Sequence, residues 1–567
     1  MSSRSVVATV LLTALSAFAA PPNVQRDAEV RCVLLAPGDG GPSALVSRVR
    51  ARIVRNRSGA PSVGILSGSA SVPDDQWSTT LWQAAFVASE ATNSSLVDFE
   101  FTLQVVDPVR DRSAGMSIAT TLVALINGKK LLPNTVIVGA INPDGSAGPV
   151  EDAPLRIRAA AADGVKRLGV PLGARTTDVV LEADRLGLEV KELAGLEDAY
   201  AFLTGDTLAR PAPATDANME LWPAELKGLS RLTTQVRAEL DTELPAAVDG
   251  GSPLRARIDR ATQQAADFER NGDTVRAFVV WSSALTLVRA LAQDAQLQRL
   301  LAEKDDVAVL ASVQKQQEAF TTERAELRRQ IDTRFAHTSR ANDMYAMDVL
   351  ESIVTQGSAT RAAEAVKSLQ TGEPDFAQRA RELAEALLRG REDLRNGQRF
   401  VELYASLPVL KKKLPPLDAA RLANSYAAAA RGAVVPNIKR DATSAELRGY
   451  EALLRTETDE RAKLLLAARQ NIYSAHLANV YGALGGQLNE KGVLSIRNSR
   501  ALASQLELAR ARVLQTCGRA AREASMVPFA ARLRYLNARA AREGSDGQKA
   551  EALADLWVAN WWCEVAR

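Results

Sequence analysis

The chain has 567 residues, of which 46% are hydrophobic and 24% are charged. These proportions are typical of a soluble globular protein that is long enough for several domains. The chain has 70 Lys and Arg side chains and 67 Asp and Glu side chains, which gives a formal net charge of +3. This balance excludes the strongly positive surface of a nucleic-acid-binding protein, and we therefore predict no nucleic-acid partner.

Residues 1–19 have the three parts of a secretory signal peptide. Arg4 supplies a positive charge, residues 6–15 are almost wholly apolar, and Ala17-Phe18-Ala19 has small residues where signal peptidase requires them. An apolar segment of this length is too short to span a bilayer. We therefore predict an exported protein, periplasmic or extracellular, that is soluble and does not span a membrane. The alternative is that these residues form a buried core helix.

The chain contains only three cysteines, Cys32, Cys517 and Cys563, and two histidines. Their number and spacing fit no metal-binding signature, and we predict no metal site. An oxidising compartment would permit a disulfide between Cys517 and Cys563. The sequence has no Gly-x-x-x-x-Gly-Lys-Ser/Thr loop, so we predict no nucleotide binding and no cofactor.

Strand and helix patterns alternate between residues 30 and 206, which predicts one α+β domain. Residues 96–106 alternate apolar and polar side chains with the period of a half-buried strand. Asn142-Pro143-Asp144-Gly145 is a strong turn signal. The predicted strands are 31–35, 46–54, 63–70, 96–106, 135–141, 167–171 and 188–191, and the predicted helices are 74–89, 114–126, 155–163, 177–186 and a segment that ends at 203.

The composition changes after residue 206. Residues 207–218 contain Pro211 and Pro213 among small side chains, which predicts a flexible, extended linker. Residues 219–567 show helical periodicity interrupted by glycine and proline, which predicts an all-α region, a helical bundle or a solenoid, of roughly a dozen helices. Near the end, Trp557, Trp561 and Trp562 are expected to anchor its core; an aromatic partner site is the alternative.

Ser113 is the first candidate for chemistry, because it stands between a predicted strand and an alanine-rich helix. A serine at a helix start ordinarily caps free backbone N–H groups with its hydroxyl. The same N–H groups can also hold an oxyanion. The neighbouring sequence is Ser113-Ala114-Gly115, and further along come a glycine-containing apolar strand, a turn and Gly148-Pro149-Val150.

In order and spacing, residues 60–205 resemble the proteolytic domain of Lon-type serine peptidases, in the form found in proteins that lack the ATPase module. The resemblance rests on Ser113-Ala114-Gly115 with its helix, on residues 136–150, and on residues 159–171. It implies an α+β Lon-type proteolytic domain followed by the all-α region. It also implies Ser113 as the nucleophile, a polypeptide substrate or partner protein, and no need for nucleotide. Because Lon-type domains often form rings, it allows a homo-oligomer.

Lon-type peptidases pair the serine with a lysine that accepts its proton, and at this dyad position the sequence has Arg156. A guanidinium stays protonated in proteins, so it cannot act as a general base. Three further departures adjoin the site: Glu151-Asp152 replaces the paired glycines of the family, Val138 replaces a threonine, and Arg110-Asp111-Arg112 replaces the acid-Gly-x before the nucleophile. Asp111, Glu151 and Asp152 are the carboxylates that lie near enough in the sequence to replace the missing base.

Two functions therefore stay open at the level of the sequence. The first is an ATP-independent, Lon-like serine endopeptidase that acts on unfolded or flexible polypeptide, in which Arg156 orients or polarises Ser113 and another group takes the proton. The alternative is a non-catalytic pseudo-peptidase that serves as a peptide-binding or scaffold protein through its helical region. Loss of a general base costs about 10²–10⁴-fold in rate, which favours the second function. The resemblance alone favours the first.

Overall fold

A computed structural model describes residues 24–36, 43–58, 61–67, 75–105, 112–148, 150–208, 213–247, 253–407, 414–430, 447, 449–450, 453–490 and 492–567. The predicted signal peptide, residues 1–19, and Asp111 lie outside these residues. Within them, a mixed α/β region comes first and a large helical region follows. The sequence predicted this coarse order.

Two sheets form the framework of the N-terminal region. Their strands are β1 (Gln25–Ala36), β2 (Ser43–Arg55), β3 (Ser62–Ser67), β4 (Phe99–Val105), β5 (Thr135–Ile137), β6 (Arg167–Pro171) and β7 (Glu189–Leu193). The first sheet has the order β1-β2-β4-β3, in which β3 is parallel to β4 and the other pairs are antiparallel. The second sheet is parallel, with the order β5-β6-β7.

Five helices complete this region: α1 (Asp75–Ala91), α2 (Gly115–Asn127), α3 (Ala153–Ala162), α4 (Thr177–Leu186) and α5 (Leu196–Thr204). Helix α2 is apolar almost all round and buried over its first eleven residues, as expected of a helix enclosed on several sides. It contacts α1, α5, β1 and β2. A second core lies between the parallel sheet and helices α3 and α4.

One strand is shorter than the sequence predicted. Residues 135–141 read as a continuous apolar strand, but β5 ends at Ile137. Val138 still donates its N–H to the carbonyl of Gly169, at 2.9 Å. Gly139 then takes a positive φ of 142°, a conformation that glycine adopts without steric cost. The chain leaves the sheet at that residue and turns towards Ser113.

The helical region is built from helices joined mostly by short connections. They are α6 (Pro223–Ala247), α7 (Pro253–Arg270), α8 (Thr274–Ala302), α9 (Asp306–Arg334), α10 (Arg340–Val354), α11 (Gly357–Val366), α12 (Phe376–Ala405), α13 (Ala419–Ala430), α14 (Glu460–Ala478), α15 (Ser499–Glu523), α16 (Phe529–Ala540) and α17 (Asp546–Ala566). One continuous apolar core runs through them.

The structure adds one element that the sequence did not indicate, since residues 219–567 were expected to be all helical. Strands β8 (Gly486–Leu488) and β9 (Leu494–Ile496) form a small antiparallel hairpin. Strands of three residues are too short to show an alternating pattern. The only signal in the sequence was the pair Gly485-Gly486, which indicated a break between helices. Gly485 has a positive φ of 63°.

The connection between the two regions differs from the flexible linker that was predicted over 207–218. Residues 209–212 lie outside the described residues; within 213–218, the N–H of Ala214 donates to the carbonyl of Leu514 in α15, at 2.7 Å. Asp216 forms an ion pair with Arg510, at 2.6 Å. The alanine- and proline-rich composition indicated low propensity for regular structure, but contacts distant in sequence hold this segment against α15.

The C-terminal helices are tied together covalently and by aromatic packing. Cys517 in α15 and Cys563 in α17 form a disulfide, with their Cα atoms 4.9 Å apart. Trp557, Trp561 and Trp562 are all buried in α17, which confirms their predicted place in the core. Length and composition alone would let α8 cross a membrane, yet its buried side chains belong to the helical core. This is compatible with a soluble protein.

Buried polar contacts join the two regions. Arg512 in α15 donates to a carboxylate oxygen of Glu197, at 2.9 Å, and lies 3.7 Å from Glu90 in α1. Glu90 also accepts hydrogen bonds from Thr516, at 2.8 Å, and from Asn560, at 3.3 Å. All of these groups are buried except Glu197, which is partly exposed. The helical region therefore packs against the α/β region through specific polar pairs as well as apolar side chains.

Candidate active site

Ser113 lies in a short 3₁₀ turn that leads directly into α2. Its carbonyl accepts the N–H of Gly139, at 2.7 Å, and the carbonyl of Gly139 accepts the N–H of Met116, at 2.9 Å. A Cβ atom at Gly115 would stand 2.9 Å from the backbone nitrogen of Ile141. The turn therefore packs directly on the chain that follows β5, and only a residue without a side chain fits at 115.

Arg156 lies in the first turn of α3, whose start is set by an unusual backbone conformation. Asp152, the residue at the N-cap, has a left-handed conformation with φ 48°. The Nε of Arg156 donates to the carbonyl of Glu151, at 2.8 Å. The side chain is thereby directed inwards, and it is only 1% exposed.

The structure brings Ser113 and Arg156 into direct contact. Arg156 Nη1 donates to Ser113 Oγ, at 2.6 Å, and to the carbonyl oxygen of Val33 in β1, also at 2.6 Å. The Ser113 hydroxyl in turn donates to the Val33 carbonyl, at 3.4 Å. Ser113 is 4% exposed. The two side chains predicted as a pair are therefore in contact, and that they are catalytic stays a prediction.

The contacts of the Ser113 hydroxyl differ from those of an ordinary helix cap. The N-cap residue of α2 is Ala114, which has no side-chain hydrogen bond to the helix. The Ser113 hydroxyl is engaged instead with Arg156 and Val33. A guanidinium beside this oxygen favours a negative charge on it. It cannot remove the proton that produces that charge.

The other candidate bases lie elsewhere or outside the described residues. Glu151 and Asp152 have exposed side chains, and Asp111 is outside the described residues. Lys129 pairs with Asp206, at 3.1 Å, beyond the far end of α2 and about 20 Å from Ser113 by helix rise. The remaining lysines of this region are exposed in the structure: Lys130, Lys166 and Lys191.

Both histidines belong to the helical region, where each contacts a side chain of that region. His337 Nδ1 contacts Asp343, at 2.7 Å. His476 packs edge-on against the ring of Trp557, with 5.9 Å between the centroids. Among the described residues, no group of three or more His, Cys, Asp or Glu side chains is placed to hold a metal ion.

Val33 is the member of the site that sequence reasoning missed. It contributes its backbone carbonyl, a group that every residue carries, so nothing in the sequence marks it. The only available signal was its place in a strand predicted at 31–35. Its carbonyl accepts a hydrogen bond from Arg156 in α3, 123 residues away in the sequence.

The fold and the site define a class of protein: an α/β region that carries a buried serine–arginine pair, joined through buried contacts to a large helical region. No protein-family model matches this chain, and a comparison with curated proteins gives no match.

Proposed function

We propose that this protein is an exported Lon-type pseudo-peptidase. In this proposal the α/β region keeps the Lon-type fold and binds flexible polypeptide without hydrolysing it, and the helical region contacts a partner protein. No nucleotide or cofactor takes part. The observation that supports the proposal is the hydrogen bond from Arg156 Nη1 to Ser113 Oγ, at 2.6 Å.

The physical argument concerns one proton. A serine becomes a nucleophile when a neighbouring group accepts its hydrogen. A buried lysine can do this because burial lowers its pKa, whereas arginine stays charged. Arg156 is also held by the carbonyls of Val33 and Glu151. The position next to the hydroxyl is thus occupied by a fixed donor, which cannot accept the hydroxyl proton.

A second candidate function is slow peptide hydrolysis with a different base. The same guanidinium would stabilise an alkoxide at Ser113, as a charge-assisted donor does for developing negative charge. The proton would then pass to a carboxylate, for which Asp111 is the nearest in the sequence. This function differs from the first in requiring an activated serine in the unmodified protein.

A fluorophosphonate probe on the full-length protein tests the proposal. We expect the wild type to label no faster than Ser113→Ala, because the hydroxyl keeps its proton. Arg156→Lys restores a group that can lose a proton, so we expect it to label Ser113 and hydrolyse casein about 10²-fold or more faster than wild type. Mass spectrometry of the labelled peptide identifies the serine.

Arg158→Lys is the matched control. Arg158 lies two residues further along α3, half exposed and paired with Glu182, at 3.2 Å, so we expect no gain in labelling. Rapid labelling of Ser113 in the wild type would contradict the pseudo-peptidase proposal. In that case Asp111→Asn tests the second candidate, since it abolishes labelling if this carboxylate is the base.

A further inference from the structure

A cavity of about 500 Å³ lies between the α/β region and the helical region. Its walls come from α1, α13, α14 and α17 and from the chain just before α13, and it does not include Ser113 or Arg156. Sites for small molecules commonly have volumes of about 300–1,000 Å³. The volume therefore suits a ligand of the size of a dipeptide.

One wall of the cavity is aromatic. The rings of Phe86 in α1 and Tyr426 in α13 are stacked, with 4.5 Å between their centroids. Trp561 in α17 meets Tyr426 edge-on, at 6.4 Å. These three side chains come from three helices and from both regions of the protein. Such a surface suits an apolar or aromatic side chain of a ligand.

The cavity also contains buried acceptors whose hydrogen bonds are incomplete. Asn560 donates through Nδ2 to Glu90, but its Oδ1 has no hydrogen-bond partner among the described residues. Ser89 Oγ has none there either. Both side chains are more than nine-tenths buried, at 5% and 3% exposure. Buried polar atoms of this kind normally have partners, and an ammonium group would supply donors to them and to Glu90.

Arg340 supplies a positive charge to the same cavity. It donates to the backbone carbonyls of Pro415, at 3.3 Å, and Ala566, at 3.5 Å. Among the described residues, no carboxylate lies within ion-pair distance of it. Two other arginines that line the cavity do have such partners: Arg421 pairs with Asp418, and Arg567 pairs with Glu564 and Glu523.

We propose that this cavity binds a zwitterionic ligand with an apolar side chain, of the size of a dipeptide. Glu90, Ser89 and Asn560 receive its ammonium group, and Arg340 receives its carboxylate. The aromatic wall covers its apolar side chain. This inference is independent of whether Ser113 is catalytic.

Calorimetric titration of the full-length protein with phenylalanyl-leucine and leucyl-phenylalanine tests the proposal. We expect at least one dipeptide to bind with a dissociation constant of about 1 mM or lower. The N-acetylated and C-amidated forms of that dipeptide each lack one charge. We expect each form to bind at least about tenfold more weakly than the free dipeptide. Trp561 in the wall gives an independent readout, since binding changes tryptophan fluorescence and Trp561→Phe reduces that change.

Two variants assign the ends of the ligand. Arg340→Gln is expected to weaken binding of the free dipeptide about tenfold and to leave binding of the amidated form unchanged, because that form has no carboxylate to pair. Ser89→Ala is expected to weaken the free and amidated forms equally. Arg389→Gln is the control, since the Arg389 side chain is 71% exposed in α12.

Three results would overturn the proposal. The first is no heat and no fluorescence change with either dipeptide at about 10 mM, well above the expected dissociation constant. The second is equal affinity for the free, acetylated and amidated forms, which indicates apolar binding alone. The third is an Arg340→Gln protein that is folded by circular dichroism and binds the free dipeptide as the wild type does.

Discussion

Within the described part of the chain, the guanidinium of Arg156 donates to the Ser113 hydroxyl and to the carbonyls of Val33 and Glu151. Lysine and arginine at this position therefore differ in the ability to accept a proton as well as in shape. An amine that loses its proton can accept one from serine, whereas the guanidinium only donates. The chemistry of the site depends on this one side chain.

Asp152 gives a prediction at the same scale. Its left-handed backbone, with φ 48°, is one that a Cβ atom disfavours by about 1 kcal/mol or more. We expect Asp152→Gly to exceed Asp152→Ala in free energy of unfolding by about 1 kcal/mol, measured by denaturant titration.

Asp184 is the control for this comparison. It is exposed within α4, where the backbone is ordinary right-handed helix. There the order reverses, because glycine in a helix is up to about 1 kcal/mol less favourable than alanine. Finding the same order of stability at 152 and 184 would show that the backbone at Asp152 is not strained in solution.

At the scale of elements, α2 and the end of β5 determine each other's position. Gly139 leaves the sheet and exchanges hydrogen bonds with Ser113 and Met116. Gly115 permits the close approach to Ile141. The glycines in the Ser-Ala-Gly and apolar strand motifs thus explain why the serine is presented at this place. The sequence motifs predicted helix α2 and strand β5. The close packing between these two elements explains why the motifs contain glycine.

Helices α15 and α17 give the second stability prediction. The disulfide between Cys517 and Cys563 has a sequence separation of 46 residues. Closing a loop of that size removes entropy from the unfolded chain worth about 4 kcal/mol at 25 °C. We expect the double variant Cys517→Ser, Cys563→Ser to lose stability of about this size. A reductant should destabilise the wild type and leave the double variant unchanged. Equal stability of the two proteins in the absence of reductant would contradict the prediction.

At the scale of the whole molecule, the two regions are joined by ionic groups that are buried together. Burial raises the pKa of Glu90, and the nearby Arg512 opposes that shift. Arg512 also pairs with Glu197, at 2.9 Å. Removing one partner of a buried pair leaves the other charge without compensation. The helical region is therefore expected to be energetically coupled to the α/β region.

The third stability prediction tests this coupling. Arg512→Ala is expected to lower the free energy of unfolding by about 3–5 kcal/mol and to split one calorimetric transition into two. Arg510→Ala is the control, because Arg510 lies two residues earlier in α15 and its ion pair with Asp216 is partly exposed; we expect a loss of about 1 kcal/mol or less there. An Arg512→Ala protein with a single, unshifted transition would show that the regions are coupled by apolar packing alone.

Much of this organisation could be predicted from local sequence. Residues 167–171 and 177–186 have the predicted bounds, because their apolar periodicity and caps are complete within the segment. The predictions failed for the end of β5 and for the β8–β9 hairpin, where only a few residues carry the pattern. In the candidate site, the sequence motif identified the residues at positions 113 and 156, but it did not predict which groups contact them.

The sequence by itself determined the order of the two regions, most of their helices and strands, and the absence of lysine at position 156. Hydrophobic periodicity, turn residues and side-chain chemistry are properties of neighbouring residues, so they can be read without coordinates. The tertiary structure decided that Ser113 and Arg156, 43 residues apart, share a hydrogen bond at 2.6 Å, and that Val33 joins them. It also decided that α1, α13 and α17 enclose a cavity. Contacts between distant residues depend on how whole elements pack, and no local pattern contains that information.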